Sequence, residues 1–210
     1  MKKKYILLLM LLLIIITSII LIYRNKSNEK IIYNNKEDID IKVKYPIYKY
    51  HKLNKVITKN VNYYLKDNID DYYFLYIDYK DYEYKEYISI VLYISYFTGG
   101  AHPNYEIKTI NYNKNTSKFI DIDNLISRDK NILNKLSIYS REYFSNNDIF
   151  KDKVIFDMML DGTKSIKDNY KYFNITSNGL IIYFNRYQIA PYYYGDYSIT
   201  IPYNYLNLSI

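Results

Sequence analysis

The chain has 210 residues, 49% of them hydrophobic, with no cysteine, 31 tyrosines and a formal net charge of +7. The missing cysteines exclude disulfides, a lipid-bearing anchor cysteine, a thiol nucleophile and thiolate-based zinc sites. Residues 1–30 hold six Lys/Arg against one Glu, so residues 31–210 are only about +2, and a nucleic-acid partner is set aside because such binders concentrate basic residues on their folded part.

Lys2, Lys3 and Lys4 precede an apolar run from Tyr5 to Tyr23 that is interrupted only by Thr17 and Ser18. A helix of that length crosses a hydrocarbon core of roughly 30 Å. Arg24, Asn25 and Lys26 follow, with no small-residue cleavage pattern, so the segment reads as an uncleaved signal-anchor. The basic residues before it favour a cytoplasmic N-terminus and an external remainder, which predicts a single-pass membrane protein. The expected division is a cytoplasmic stub at 1–4, the transmembrane segment at 5–23 and a polar linker at 24–40, and the remainder suits one compact domain or two small lobes sharing a sheet.

A helix is predicted over Tyr50–Lys66, where Leu53, Val56, Ile57, Val61, Tyr64 and Leu65 form one apolar stripe. Strands are predicted at Tyr72–Lys80 and Glu86–Thr98, separated by a charged turn. In the second, Ile88, Ile90, Leu92, Ile94 and Tyr96 share the buried side, with Ser89, Val91, Tyr93 and Ser95 opposite. Strands at Tyr105–Tyr112 and Lys118–Ile122 flank the polar turn Asn113–Ser117.

A second helix is expected over Asp129–Phe144, with Ile132, Leu133, Leu136, Tyr143 and Phe144 facing inward, and a third over Phe150–Leu160. Tyr172–Ser177 and Leu180–Phe184 bracket Asn178-Gly179, a strong hairpin signal, and Asp196–Ile201 is the last strand. Strands joined by hairpins with helices grouped between them predict an α+β fold, with a mainly antiparallel sheet and two or three helices after the membrane segment.

Most of the tyrosines read as strand and core residues, because Tyr, Asn, Lys and Ile are abundant together throughout the chain. His51 has no partner at ligand spacing, and no serine sits in a G-x-S-x-G pattern. Asp121 and Asp123 alternate at a strand end, where turn formation and helix capping are the commoner roles. No metal or cofactor is expected.

Two loops of unusual composition remain, each following an apolar run. One is Phe97-Thr98-Gly99-Gly100-Ala101-His102-Pro103-Asn104; the other is Tyr187-Gln188-Ile189-Ala190-Pro191-Tyr192-Tyr193-Tyr194-Gly195. The pair resembles the extracellular domain family shared by lysozyme-sensing anti-sigma factors of the RsiV type and the N-terminal part of PdaC-like peptidoglycan deacetylases. The resemblance implies two joined α+β modules, at 41–104 and 105–210, outside the cell membrane of a bacterium. It departs at Gln188, where the family more often carries Glu before Ile-Ala-Pro.

Met1–Lys4 is too short to hold a sigma factor, and no deacetylase segment is expected after residue 205. The expected function is therefore a membrane-anchored extracellular binding module for lysozyme or peptidoglycan glycan. Its candidate binding residues are Thr98, Gly99, Gly100, His102, Tyr187, Gln188, Pro191 and Tyr192. The alternatives are a cell-wall-modifying enzyme using His102 and a non-catalytic scaffold subunit of a membrane complex.

Overall fold

Alternation begins ahead of the helix predicted over Tyr50–Lys66. In Ile39–Ile47 (β2), Ile41, Val43 and Tyr45 are buried while Lys42 is exposed. The computed structural model describes residues 28–36, 39–65 and 71–208. The stub at 1–4 and the expected membrane segment at 5–23 lie outside the described residues. Among those described, no helix is long and apolar enough to cross a membrane.

The linker expected at 24–40 is corrected over its described part. Asn28–Lys36 forms strand β1, paired antiparallel with β2 from Asn28 opposite Ile47 to Lys36 opposite Ile39. An edge strand draws its stability from backbone pairing on one side and can be polar on its faces, so a polar composition did not signal a linker here.

The helix after β2 is α1, His51–Leu65, burying Leu53, Ile57, Val61 and Tyr64. Its entry is fixed by Asn54, whose Oδ1 accepts the Tyr48 N–H at 2.9 Å while its Nδ2 donates to the Tyr48 carbonyl at 2.6 Å. α1 is the crossover between β2 and its parallel neighbour β3, Phe74–Tyr84. β4 (Tyr87–Phe97), β5 (Asn104–Asn113) and β6 (Lys118–Phe119) follow by antiparallel pairing, completing a sheet in the order β1-β2-β3-β4-β5-β6. β5 pairs with β4 along its length, so this sheet continues past residue 104, where the break between modules was expected.

Six α-helices are described, more than the two or three expected. After α1 come α2 (Ile122–Arg128), α3 (Ile132–Ser145), α4 (Lys153–Gly162), α5 (Lys167–Tyr170) and α6 (Tyr203–Leu206). The additions are short: α2 has seven residues and α5 and α6 four each. Asp121 caps α2 in a capping box, its Oδ1 accepting the Asn124 N–H at 3.0 Å and Asn124 Oδ1 accepting the Asp121 N–H at 2.8 Å. The helix expected from Asp129 begins at Ile132, because the Asp129 carboxylate accepts the Asn131 N–H and holds a turn there. Tyr143 on α3 is exposed, not buried. The helix expected over Phe150–Leu160 is split by Asp152, which caps α4 through the Val154 and Ile155 N–H groups.

A second, antiparallel sheet is formed by β7 (Phe173–Thr176), β8 (Gly179–Phe184) and β9 (Tyr197–Ile201). One core lies between α1 and the large sheet, built on Ile41, Leu53, Ile57, Val61, Ile77 and Ile90. The other lies between the small sheet and the helices, built on Leu125, Leu136, Phe144, Met159, Phe173 and Phe184.

The back of the large sheet meets β7, so β4 is buried on both sides from Tyr87 to Leu92, including Ser89 and Val91, which were expected opposite its buried face, while Tyr93 further along that face is exposed. That junction is polar. Asn174 Nδ2 donates to the Ile90 carbonyl at 3.1 Å, the Ile175 N–H to Ser89 Oγ at 3.1 Å, Asn111 Nδ2 to the Phe173 carbonyl at 2.9 Å, and the Tyr183 hydroxyl to Asn174 Oδ1 at 3.0 Å.

Candidate functional site

The turn between β4 and β5 needs backbone that only glycine adopts easily. Gly99 and Gly100 have φ of +98° and +108°. They turn the chain so that Ala101 and His102 stand exposed at the rim of the large sheet, with Thr98 exposed at the start of the turn. The second loop leaves β8 at Phe184 and closes on itself through Gln188. The Gln188 N–H donates to the Asn185 carbonyl at 3.0 Å, and its Oε1 accepts the Asn185 N–H at 3.2 Å. That turn holds Tyr187 at φ +65°, a left-handed conformation unusual for a bulky residue, with 57% of Tyr187 exposed.

The two loops meet. The His102 ring stacks on Tyr192 with centroids 4.0 Å apart and planes 23° from parallel. Its Nε2 lies 3.4 Å from the Tyr187 hydroxyl and its Nδ1 lies 3.1 Å from the Pro103 carbonyl. With the proton on Nδ1, the ring donates to that carbonyl and accepts from Tyr187. The Tyr192 hydroxyl donates to the same Pro103 carbonyl at 2.8 Å. Behind the aromatic group, Asn185 Oδ1 accepts the Ile107 N–H at 3.2 Å, tying the second loop to the edge of β5.

Arg186 was missed by sequence reasoning. Its guanidinium sits 3.6 Å from the Tyr105 ring centroid and 4.5 Å from that of Tyr192. Asp196 positions it, accepting the Arg186 backbone N–H at 3.0 Å, with a carboxylate oxygen 3.8 Å from Arg186 Nε. Burial pushes the Asp196 carboxyl above its ordinary range, against the pull of Arg186. One signal was available in the sequence: Arg186 is one of four arginines in a chain whose basic residues are overwhelmingly lysine.

The other predicted residues divide. Gln188 faces inward, its Nε2 donating to the carbonyls of Gly162 and Asn169, both at 3.0 Å. A carboxylate here would set oxygen against two carbonyl oxygens, so in this chain the amide braces the loop from within. Gly162 makes the approach possible, since a Cβ there would lie 1.9 Å from the Gln188 carbonyl oxygen. Ile189 and Ala190 are buried, whereas Tyr193 is 87% exposed. Pro191 opens the short helical turn that carries Tyr192. The loop is thus half core closure and half exposed aromatic surface.

Among the described residues, neither ring nitrogen of His102 is paired with a carboxylate. The arrangement is a stacked aromatic surface backed by a held arginine. Tyr supplies contact area at small entropic cost, and Tyr and Arg are both enriched among interface hot spots.

Comparison with known proteins gives this geometry a family context. Residues 123–204 match the family model described as "Protein of unknown function (DUF3298)". Over 172 residues the chain is 31% identical to the peptidoglycan-N-acetylmuramic acid deacetylase PdaC of Bacillus subtilis (strain 168). That match takes in 76% of this chain and 36% of PdaC, so the chain spans about a third of the length of this curated relative. The fold is similar to the crystal structure of a DUF3298 family protein from Pseudomonas aeruginosa PAO1, with a TM-score of 0.67 at 16% identity, covering 88% of this chain and 94% of the other. A DUF3298 family member from Bacteroides fragilis NCTC 9343 gives a TM-score of 0.57 at 16% identity, covering 86% and 92%.

Proposed function

Because this chain carries a DUF3298-type domain shared with PdaC-like proteins, we propose that it is a membrane-anchored ligand-binding module of the bacterial cell envelope, with its folded part outside the membrane. The carrying observation is the convergence of the two loops, which sets His102 and Tyr192 in a stack beside exposed Tyr187, with Arg186 held behind. Aromatic residues and arginine are the side chains enriched at the centres of protein interfaces. The left-handed backbone of Tyr187 supports the same reading, since strain of this kind gathers at ligand-contacting positions.

The ligand this reading favours is lysozyme or a related muramidase, in keeping with the resemblance of the loop pair to lysozyme-sensing proteins. Peptidoglycan glycan is the competing ligand, because the relative PdaC is a peptidoglycan-N-acetylmuramic acid deacetylase. The apolar run at 5–23 supports the anchor.

The test is a calorimetric titration of the full chain, in non-ionic detergent, with lysozyme. Binding is expected, and Tyr192→Ala and Tyr187→Ala should each weaken it by tenfold or more, the range of an interface hot spot of about 1.4 kcal/mol or above. Absence of heat at high micromolar lysozyme, or binding indifferent to both variants, would reject lysozyme as the ligand of this surface.

A further inference from the structure

Arg128, Arg141 and Arg186 are the arginines among the described residues, and two of them use their guanidinium donors inside the fold. Arg128 Nη2 donates to the Tyr87 hydroxyl at 3.2 Å. Arg141 donates through Nε to Thr163 Oγ1 at 3.2 Å and through Nη2 to the Leu160 carbonyl at 3.0 Å. The Arg186 guanidinium, by contrast, donates no hydrogen bond among the described residues, although only 21% of the side chain is exposed. Its ionic neighbour there is Asp196, whose oxygen stands 3.8 Å from Nε, beyond hydrogen-bond reach. A half-hidden charged donor left unmet costs free energy, so an arginine that folding leaves in this state calls for an explanation.

Its surroundings say which donors are left for a ligand. Nε is shut off from solvent without a partner, whereas the two terminal nitrogens are not shut off. Tyr105 and Tyr192 hold the guanidinium over their ring faces, and Asp196 lies on its Nε side. The terminal nitrogens are therefore presented end-on, at the surface that also exposes Tyr187. A guanidinium fixed in this way offers two parallel N–H donors at little further entropic cost, the geometry that a carboxylate accepts bidentately. Residues 97–105 and 184–195 contain no acidic side chain to compete for the arginine and no lysine to add to its charge. With Asp196 balancing part of that charge, a singly charged carboxylate suits the site better than a doubly charged phosphate.

We propose that Arg186 receives the side-chain carboxylate of an aspartate or glutamate on a protein ligand, held end-on by its two Nη groups while Tyr187 and Tyr192 cover the flanking surface. Arg186 thereby sets the preference of the loop pair for an acidic residue. The inference rests on the reading of the loop pair as a protein-binding surface for its choice of a protein as the source of the carboxylate. The anion-binding geometry rests on Arg186 and its aromatic supports.

The full chain in non-ionic detergent, carrying isotope-labelled arginine, would be titrated with N-acetylglutamic acid α-amide and followed by nuclear magnetic resonance. The neutral glutamine counterpart and methyl phosphate serve as comparisons. The carboxylate probe should move the Arg186 guanidinium signals saturably at millimolar concentration and leave those of Arg128 and Arg141 in place. It should bind at least tenfold more tightly than either comparison. Arg186→Lys keeps a charge beside Asp196 but lacks the fork, so it should weaken the probe tenfold or more, and an unchanged circular dichroism melt checks the fold. Lysozyme should bind Arg186→Lys at least tenfold more weakly than the parent chain, and excess probe should displace it from the parent. No shift at Arg186 at tens of millimolar probe overturns the proposal whether or not lysozyme binds. An equal shift with the glutamine counterpart, or tighter binding of methyl phosphate, overturns it too. Lysozyme that binds Arg186→Lys undiminished overturns it while leaving the loop pair as the lysozyme surface. Absence of lysozyme heat beside a saturable Arg186 shift rejects lysozyme and supports the carboxylate site.

Discussion

The two faces of β4 solve the same packing problem differently. Towards α1, Ile88, Ile90, Leu92 and Ile94 enter a dry core with Leu53, Ile57 and Val61. Towards the small sheet, Ser89 bonds β7 directly and Asn111 and Asn174 complete a hydrogen-bonded seam around it. Apolar burial is strong but non-directional, whereas a buried amide must meet its partner or lose its hydration uncompensated. The contrast suggests a division of labour: the α1 face supplies most of the stability, and the β7 face fixes how the two sheets sit, and with them the loops that each carries.

The largest effect should come from the dry face. Ile90 is fully buried, and Ile90→Ala removes side-chain volume from a core that can close only partly, which should cost about 2–5 kcal/mol in urea melts of the full chain. The polar seam should cost less to break. Asn174→Ala leaves the Tyr183 hydroxyl without its amide acceptor and should cost about 1–3 kcal/mol. The sharper measurement is a comparison of the two variants. Asn174→Ala should alter hydrogen exchange or the chemical shifts at the His102 and Tyr187 loops, while Ile90→Ala should lower global stability and leave the native loop signals in place. If Ile90→Ala disturbs the loops and Asn174→Ala does not, the proposed division is wrong.

The contrast also explains what could be read beforehand. The period-two pattern of β4 exposes its Ile face in the sequence, since alternation is a property of one segment. That Ser89 and Val91 are equally buried depends on β7, more than eighty residues further on, and no local pattern carries that information. β1 escaped notice for the opposite reason: as an edge strand it has little apolar signature, and its pairing is backbone to backbone. Helix ends were misplaced where a single aspartate, Asp129 or Asp152, trades a helical turn for a cap.

The loop pair was conspicuous by composition. Yet the contact between His102 and Tyr187 spans 85 residues, and only the stacking of the sheets brings them together. Gln188 shows the limit most clearly: it sits between candidates on either side, but its amide turns inward to Gly162 and Asn169 because the close approach at Gly162 draws it there.

The smallest effect, and the one with a pH signature, lies at the rim of the dry face. Burial pushes the Glu106 carboxyl up, but the hydrogen bonds from Lys108, Tyr64 and Tyr96 and the charge of Lys108 outweigh it and hold the group below its ordinary range. A depressed folded-state pKa means that the ionised form favours the folded chain. The stabilisation is therefore present above the unfolded carboxyl range, about pH 4.3, and is lost as pH falls through the lower folded value. Glu106→Gln removes this linkage. With 33% of the side chain exposed, solvent screening keeps the expected cost at pH 7 near 1 kcal/mol. The difference in stability between the parent chain and Glu106→Gln should be level from pH 6 to 8 and shrink steadily below pH 4. A difference that stays constant down to pH 3 would mean that the tyrosine hydroxyls hold the neutral acid as well as the carboxylate, and the polar rim would then contribute packing rather than charge.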